Sequence, residues 1–278
     1  MAARSVNDRR PWTFYLLAAL FGAYLLFLYG PMAVIAVLSF QGPTGGLTFP
    51  MTGVSLDWFY DIFRPGMMAN IPVSFSRSLA LAAVVSISTV VMSVAAGLAF
   101  RKDFRGAGAV FYLAVASLVM PSLLVGFGIG LGFQFIGIEP SLFTSALAAQ
   151  LTWTLPFGMF LMFAVINRFN RSWEEAATDL GANAWQRFRY VTLPMLRPAI
   201  VVVSVLNALY ALRVFDIVFA LTNGGPGYAT ETIATDIFKS FSEGQYGLGT
   251  AVSTILFIIL LVVGYFVIRL LERGQARD

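Results

Sequence analysis

The stretch SWEEAATDLGANAWQRFRYVTLPMLRP, residues 172–198, decides how the rest of the chain is read. Ser172 followed three residues later by Glu175 has the form of a capping box, which predicts a helix start. Trp173, Ala176, Ala177 and Leu180 then recur at helical spacing and make one apolar face. Gly181 stands where a left-handed residue closes such a helix. Asn183 and Gln186 repeat the capping pattern for a second helix carrying Phe188 and Val191, expected to stop before Pro194. Glu174, Asp179, Arg187 and Arg189 are read as a charged outer face. The expectation is a small helix-turn-helix knob, a shape suited to docking on a soluble partner. Spacing alone leaves a plain capped loop equally open, with Glu175 doing no more than capping.

Outward from this stretch the chain reads as membrane. Of 278 residues 58% are apolar and 12% charged, with a mean hydropathy of +0.79. Soluble domains carry about a quarter charged residues. The apolar runs are long rather than alternating, which predicts an all-α integral membrane protein, not a β-barrel. There is no cysteine and no histidine. That excludes disulfides, thiol chemistry, Ser-His-Asp triads, imidazole relays and the usual metal ligands. The net charge of +4 is explained by membrane borders rather than by nucleic acid.

Six spans are expected, at about residues 15–38, 79–100, 107–135, 142–165, 199–221 and 249–271, forming one transmembrane domain over 1–278. The first run is too long for a signal peptide and reads as a retained span with Pro31 inside it. SLDWFYDIF, residues 55–63, suits a short helix at the headgroups through Trp58, Phe59 and Tyr60. In the third span Pro121 precedes Gly126, Gly128, Gly130 and Gly132. Close packing through small residues is the first reading and a bent or broken helix lining a path the second. Pro198 is expected to open the fifth span. NGGPG, residues 223–227, must turn sharply.

Arg4, Arg9, Arg10, Arg101, Lys102, Arg105, Arg168, Arg171, Arg187, Arg189, Arg197, Arg269, Arg273 and Arg277, 14 of the 18 basic residues, fall on the side that holds the knob and both ends. Arg64, Arg77 and Lys239 fall opposite, and Arg213 lies within a span. The positive-inside rule therefore predicts a cytoplasmic knob and cytoplasmic termini. Asp57, Asp61, Glu139, Glu231, Asp236 and Glu243 give an acidic outer face, read mainly as a solvated rim.

The spacing Glu175-Ala176-Ala177, Gly181, then Val191-Thr192-Leu193-Pro194 resembles the EAA loop of ABC importer permeases, EAA-x3-G-x9-I-x-LP, with Val191 in place of isoleucine. Residues 29–196, including YGPMAVIAVLSFQ and LVMPSLLVGFGIGL, are similar to spermidine/putrescine-type permeases. Residues 214–238, VFDIVFALTNGGPGYATETIATDIF, with YGLGTAVSTIL after them, look more like maltose-type sugar permeases. The resemblance implies a type I ABC importer permease fold with six transmembrane helices and a cytoplasmic coupling helix. Glu175, Ala176, Ala177, Gly181, Leu193 and Pro194 would be the residues that couple to the ATPase. It also implies two copies of an ATP-binding subunit, a second permease subunit, identical or homologous, and a periplasmic or lipid-anchored solute-binding protein, all at a bacterial inner membrane.

No Gly-x4-Gly-Lys cradle for ATP exists here, because neither Lys102 nor Lys239 follows a glycine. The chain is expected to be a non-catalytic subunit with no cofactor, worked by a separate ATPase. Within the spans Arg213 and Asp216 stand at i, i+3, close enough to pair on one helical face. Buried charges are costly and commonly face a cavity, so they are candidates for the solute path, with a helix-fastening pair as the alternative. The favoured solute is a polyamine-type molecule and the alternative a sugar. A different class, an ion-coupled secondary carrier, would need Asp216 as its coupling carboxylate.

Overall fold

The structure is a computed structural model, describing residues 11–44, 46–64 and 70–275. Arg4, Arg9, Arg10 and Arg277 lie outside the described residues. Among these residues the elements are helical, apart from one isolated pairing of Gln41 with Val54.

Helix α1, Trp12–Leu38, contains Pro31 and buries only Leu38. A helix apolar on every side cannot stay bare in water, so lipid or another chain covers it. The short α2, Asp57–Asp61, does not simply lie at a headgroup layer. Its Trp58 donates its indole N–H to the Gln41 carbonyl at 2.8 Å and packs into a cluster with Ile62, Ile71, Ile233 and Leu248.

Helix α3, Ile71–Ala99, begins eight residues before the expected span. Asn70 caps it by accepting from the Val73 amide, and Pro72 stands in its first turn, where no amide is needed. The extra turns carry serines: the Ser78 hydroxyl accepts the Ile233 amide at 2.9 Å, tying the helix to the start of the helix Ile233–Ser242.

The third apolar run is two helices, α4, Ala107–Val119, and α5, Ser122–Phe135, bent by 114° at Met120 and Pro121. Proline forces the residue before it into an extended conformation, and Met120 is extended. The glycines pack as well: a Cβ on Gly126 or Gly130 would stand 3.1 Å from Ala220 or Leu221 respectively. Close packing and a break therefore both occur in this segment, each at its own residues.

A wide helical turn, Leu142–Ala146, leads into α6, Leu147–Ile166. Then come α7, Ser172–Asp179, α8, Ala184–Arg187, a second wide turn, Phe188–Thr192, and α9, Leu193–Leu212. The chain closes with α10, Asp216–Thr222, α11, Ile233–Ser242, and α12, Tyr246–Gln275. Among the described residues five stretches are long and apolar enough to cross a membrane, and six if the bent pair counts as one.

The core lies among α3, α6 and α9. Leu81, Ala82, Val85, Ala146, Ala149, Ala211 and Leu212 belong to one apolar cluster, and Val94, Met162, Ile166, Leu196, Ala199 and Val203 to another. Between them along each helix fall polar residues: Ser86, Thr89 and Ser93, Gln150 and Thr154, and Asn207. Thr89 and Thr154 share a hydrogen bond of 2.9 Å, the kind of contact that joins helices where lipid gives no hydrophobic drive. Gly158 makes this approach possible, since a Cβ there would stand 2.3 Å from the Ser93 hydroxyl.

Candidate functional site: the knob at one end of the bundle and the charged break within it

The knob forms, with three differences from its sequence pattern. Ser172 is not the cap. It is the first residue of α7, and its amide donates instead to Asn170 Oδ1 at 3.1 Å. Asparagine two residues ahead takes the amide that the Glu175 carboxylate would accept in a capping box. Glu175 is thereby released from a capping box and stands exposed, its carboxylate making no hydrogen bond or ion pair among the described residues. Gly181 does close α7, at φ +85°. Its amide reaches the Thr178 carbonyl and the Ala182 amide the Ala177 carbonyl, both at 2.9 Å, which is a Schellman closure. Asn183 and Gln186 make the reciprocal capping box at 2.9 and 2.8 Å.

The second helix does not stop before Pro194. The chain stays helical through Phe188–Thr192 and on into α9, with Pro194 in the first turn of that helix. A widened turn absorbs the amide that proline lacks. Pro198 accordingly lies inside α9 rather than opening a span.

The third difference bears most on function: apolar and charged residues are divided between the two faces rather than separated by them. Trp173, Leu180 and Trp185 are 61%, 89% and 68% exposed, so the apolar side looks outward. Of the charged residues Glu174 and Arg187 turn inward, while Asp179 and Arg189 stay exposed. Glu174 accepts two bonds from the Arg101 guanidinium, at 2.9 and 2.8 Å, and a third from the Thr192 hydroxyl at 2.7 Å. The Arg101 hydrogen bonds hold its carboxyl below the usual carboxylate range. Burial opposes this, while Thr192 and the charges of Arg101 and Arg187 reinforce it. Arg187 donates to the Thr178 hydroxyl at 2.6 Å. Ala177 and Leu193 are half-buried, and Ala176 and Pro194 exposed.

The intramembrane charges are also arranged differently from the expectation. Helix α9 ends at Leu212, so Arg213 sits at a break and Asp216 begins α10. They are not neighbours on one helical face, and no ion pair joins them among the described residues. Asp216 instead accepts a hydrogen bond from Ser122, the first residue of α5. Two helix breaks, one at Pro121 and one at 213–215, therefore meet at this carboxylate. Arg213 is exposed.

Of the acidic residues expected to form a solvated rim, Asp57, Glu139 and Glu243 are exposed, but Asp61, Glu231 and Asp236 are buried. Glu231 and Asp236 are each 1% exposed. Glu231 pairs with Lys239, whose ammonium also lies 5.0 Å from the centre of the Tyr228 ring. Burial pushes the Asp236 carboxyl up to about 7. The nearby Ser74 hydroxyl and Lys239 pull down, Glu231 pushes up, and among the described residues neither Asp236 oxygen meets a donor in hydrogen-bond geometry.

Glu174 and Arg101 escaped the sequence reading because their side chains meet across 73 positions and carry no local signal.

An α-helical bundle with broken spans and an outward-facing helical knob is the architecture of type I ABC importer permeases. The chain superposes on a bacterial ABC transporter involved in import of the acidic polysaccharide alginate with a TM-score of 0.74, covering 94% of this chain and 96% of that one at 19% identity. It superposes on the inward-facing methionine transporter MetNI at 0.57, with 16% identity over 76% and 99% of the two chains.

Residues 89–277 match the family of binding-protein-dependent transport system inner membrane components, and the chain belongs to that family. It is 37% identical over 144 residues to the trehalose/maltose transport system permease protein MalF of Thermococcus litoralis, 52% of this chain and 48% of that one. It is 27% identical over 275 residues to the putrescine transport system permease protein PotI of Escherichia coli, 96% of this chain and 93% of that one. The match spans about half the length of the archaeal MalF relative and, at 55%, of a probable ABC transporter permease of Brucella suis.

Proposed function

We propose that this chain is a permease subunit of an ATP-driven importer, non-catalytic itself, acting as one transmembrane domain over residues 1–278. The observation that carries this is the knob. It is a pre-formed helical element, tied to the bundle through Glu174, with Trp173, Leu180, Trp185 and Glu175 left outward. Exposed aromatic and aliphatic side chains of this size mark a surface that a partner covers. Two copies of a separate ATP-binding subunit would grip it, one on this chain and one on a second permease subunit, with Glu175, Ala176, Ala177, Gly181, Leu193 and Pro194 forming the coupling region. Positive residues on the knob side put it and both termini in the cytoplasm, in a bacterial inner membrane. A binding protein, periplasmic or lipid-anchored, would deliver solute from the other side.

Arg213 and Asp216 are the proposed path residues, at a helix break where polar backbone must face protein or a hydrated cavity. The favoured solute is a small polyamine-type cation. Near full-length similarity to a putrescine permease supports it. A sugar is the second reading, supported by the higher identity to a trehalose/maltose permease over half the chain.

The test is uptake of labelled putrescine, and separately of maltose, into vesicles carrying the assembled complex. Uptake that needs internal ATP and survives collapse of the proton gradient is the expected result. Uptake that follows the gradient and ignores ATP rejects the reading in favour of a secondary carrier.

A further inference from the structure

We infer that Glu174 is a positioning residue that joins the knob mechanically to the membrane bundle. The inference rests on the coupling role proposed for the knob and assigns a different task from that of its neighbour Glu175. Three elements converge on the Glu174 carboxylate. Arg101 comes from the turn just beyond the end of α3, Thr192 from the turn that opens α9, and Glu174 itself from α7. The Arg101 bonds are paired and parallel, at 2.9 and 2.8 Å, which fixes orientation as well as distance.

Arg101 is itself held. Its carbonyl accepts from Arg171 at 3.2 Å and its guanidinium lies over the Phe169 ring at 5.4 Å. The two side chains are only 17% and 22% exposed, so this is not a screened surface pair. Deleting the carboxylate would leave a largely buried guanidinium without its partner.

The consequence is mechanical. Helices α3 and α9 pack along one another in the core, and Glu174 bonds to the end of one and the beginning of the other. A pull on α7 is therefore delivered to both. Without the clamp, α7 is joined to the bundle through residues 167–171 on one side and the Gly181 turn on the other, and both can yield. Glu175, one position on and free, faces the partner, while Glu174 faces the load.

The chain has no cysteine, so spin labels placed through Asp103→Cys and Asp179→Cys report directly on the distance between the α3–α4 turn and the knob. In the full chain in lipid nanodiscs a narrow distance distribution is expected. Glu174→Gln and Arg101→Gln should broaden it, and the exchange Glu174→Arg with Arg101→Glu should narrow it again. In the complex with its ATP-binding subunit, Glu174→Gln should retain subunit binding and ATP hydrolysis but lose roughly tenfold in solute moved per ATP. If Glu174→Gln does not insert, Thr192→Val removes one of the three bonds with a smaller change of the same sign.

An unchanged distance distribution, or unchanged uptake per ATP, overturns the inference. Loss of subunit binding overturns it too, since Glu174 would then be a docking residue. If the unmutated chain fails to bind any ATP-binding subunit, the proposed function falls, while the distance measurement on the chain alone still decides the clamp.

Discussion

Gly181 ends α7 at φ +85°, with open space where a Cβ would point. A substitution there therefore meets backbone strain and nothing else. Gly181→Ala is expected to cost about 1 kcal/mol of local knob stability, and Gly181→Asn less, because asparagine tolerates the left-handed region. Hydrogen exchange of the α7 amides measures this, and faster exchange in the alanine variant than in the asparagine variant is the expected order. This position was legible in the sequence because a left-handed turn has a cheap, local signature. Ser172 misled because Asn170, two residues earlier, takes its amide. Glu174 carried no signal at all, since its partners are distant in sequence.

Asp236 offers a second test at this scale. Its folded-state carboxyl is raised to about 7, so the native state holds a proton that the unfolded chain gives up at ordinary aspartate pH. Stability is then greatest at low pH and falls as pH rises from the ordinary aspartate range to about 7, levelling off above. The charged groups around it are Glu231 and Lys239, with Arg77 of α3 bonded to the Tyr228 carbonyl nearby. Asp236→Asn should flatten that slope in thermal unfolding of the detergent-solubilised protein. A slope that persists in the variant assigns the titration elsewhere.

At the scale of elements, the bend between α4 and α5 shows how two sequence signals can share one segment. Pro121 dictates the break through Met120, and Gly126 and Gly130 let α5 lie close on α10. A Cβ at Gly126 would stand 3.1 Å from the Ala220 Cβ and 3.4 Å from the Ile217 carbonyl, whereas at Gly128 it would meet nothing within 4 Å. Gly126→Ala is therefore expected to destabilise by about 1–3 kcal/mol through overpacking. Gly128→Ala, gaining helix propensity without a clash, should be neutral or slightly stabilising. Thermal melts of the two variants give the comparison, and equal melting would mean that α5 does not rest on α10. Periodicity and composition show that this run is apolar and long enough to span. The 114° bend depends on what α5 packs against, which no local pattern encodes. The same applies to the wide turn before Pro194, where tertiary packing keeps helical a segment that the proline rule would end.

For the whole molecule, the all-helical, membrane-spanning class was readable from hydropathy alone, since lipid admits few other backbones. The orientation is a separate matter that rests on the distribution of arginine and lysine. The structure supplies one relevant fact: the ion pair of Arg101 with Glu174 brings the α3–α4 turn and the knob to the same end of the bundle. Glu243 follows α11, which is held to the first turns of α3 rather than to its last, and so belongs to the other end. Asp103, Asp179 and Glu243 are all exposed. Because the chain lacks cysteine, each can be replaced singly without background labelling. A membrane-impermeant maleimide applied to right-side-out vesicles should react with the Glu243→Cys chain at once. It should reach Asp103→Cys and Asp179→Cys only after the membrane is opened. The reverse pattern would turn the molecule over in the bilayer and put the knob where no ATP-binding subunit can reach it. Reaction at Asp103→Cys without reaction at Asp179→Cys would contradict the shared end itself, and with it the clamp through which the knob is argued to act.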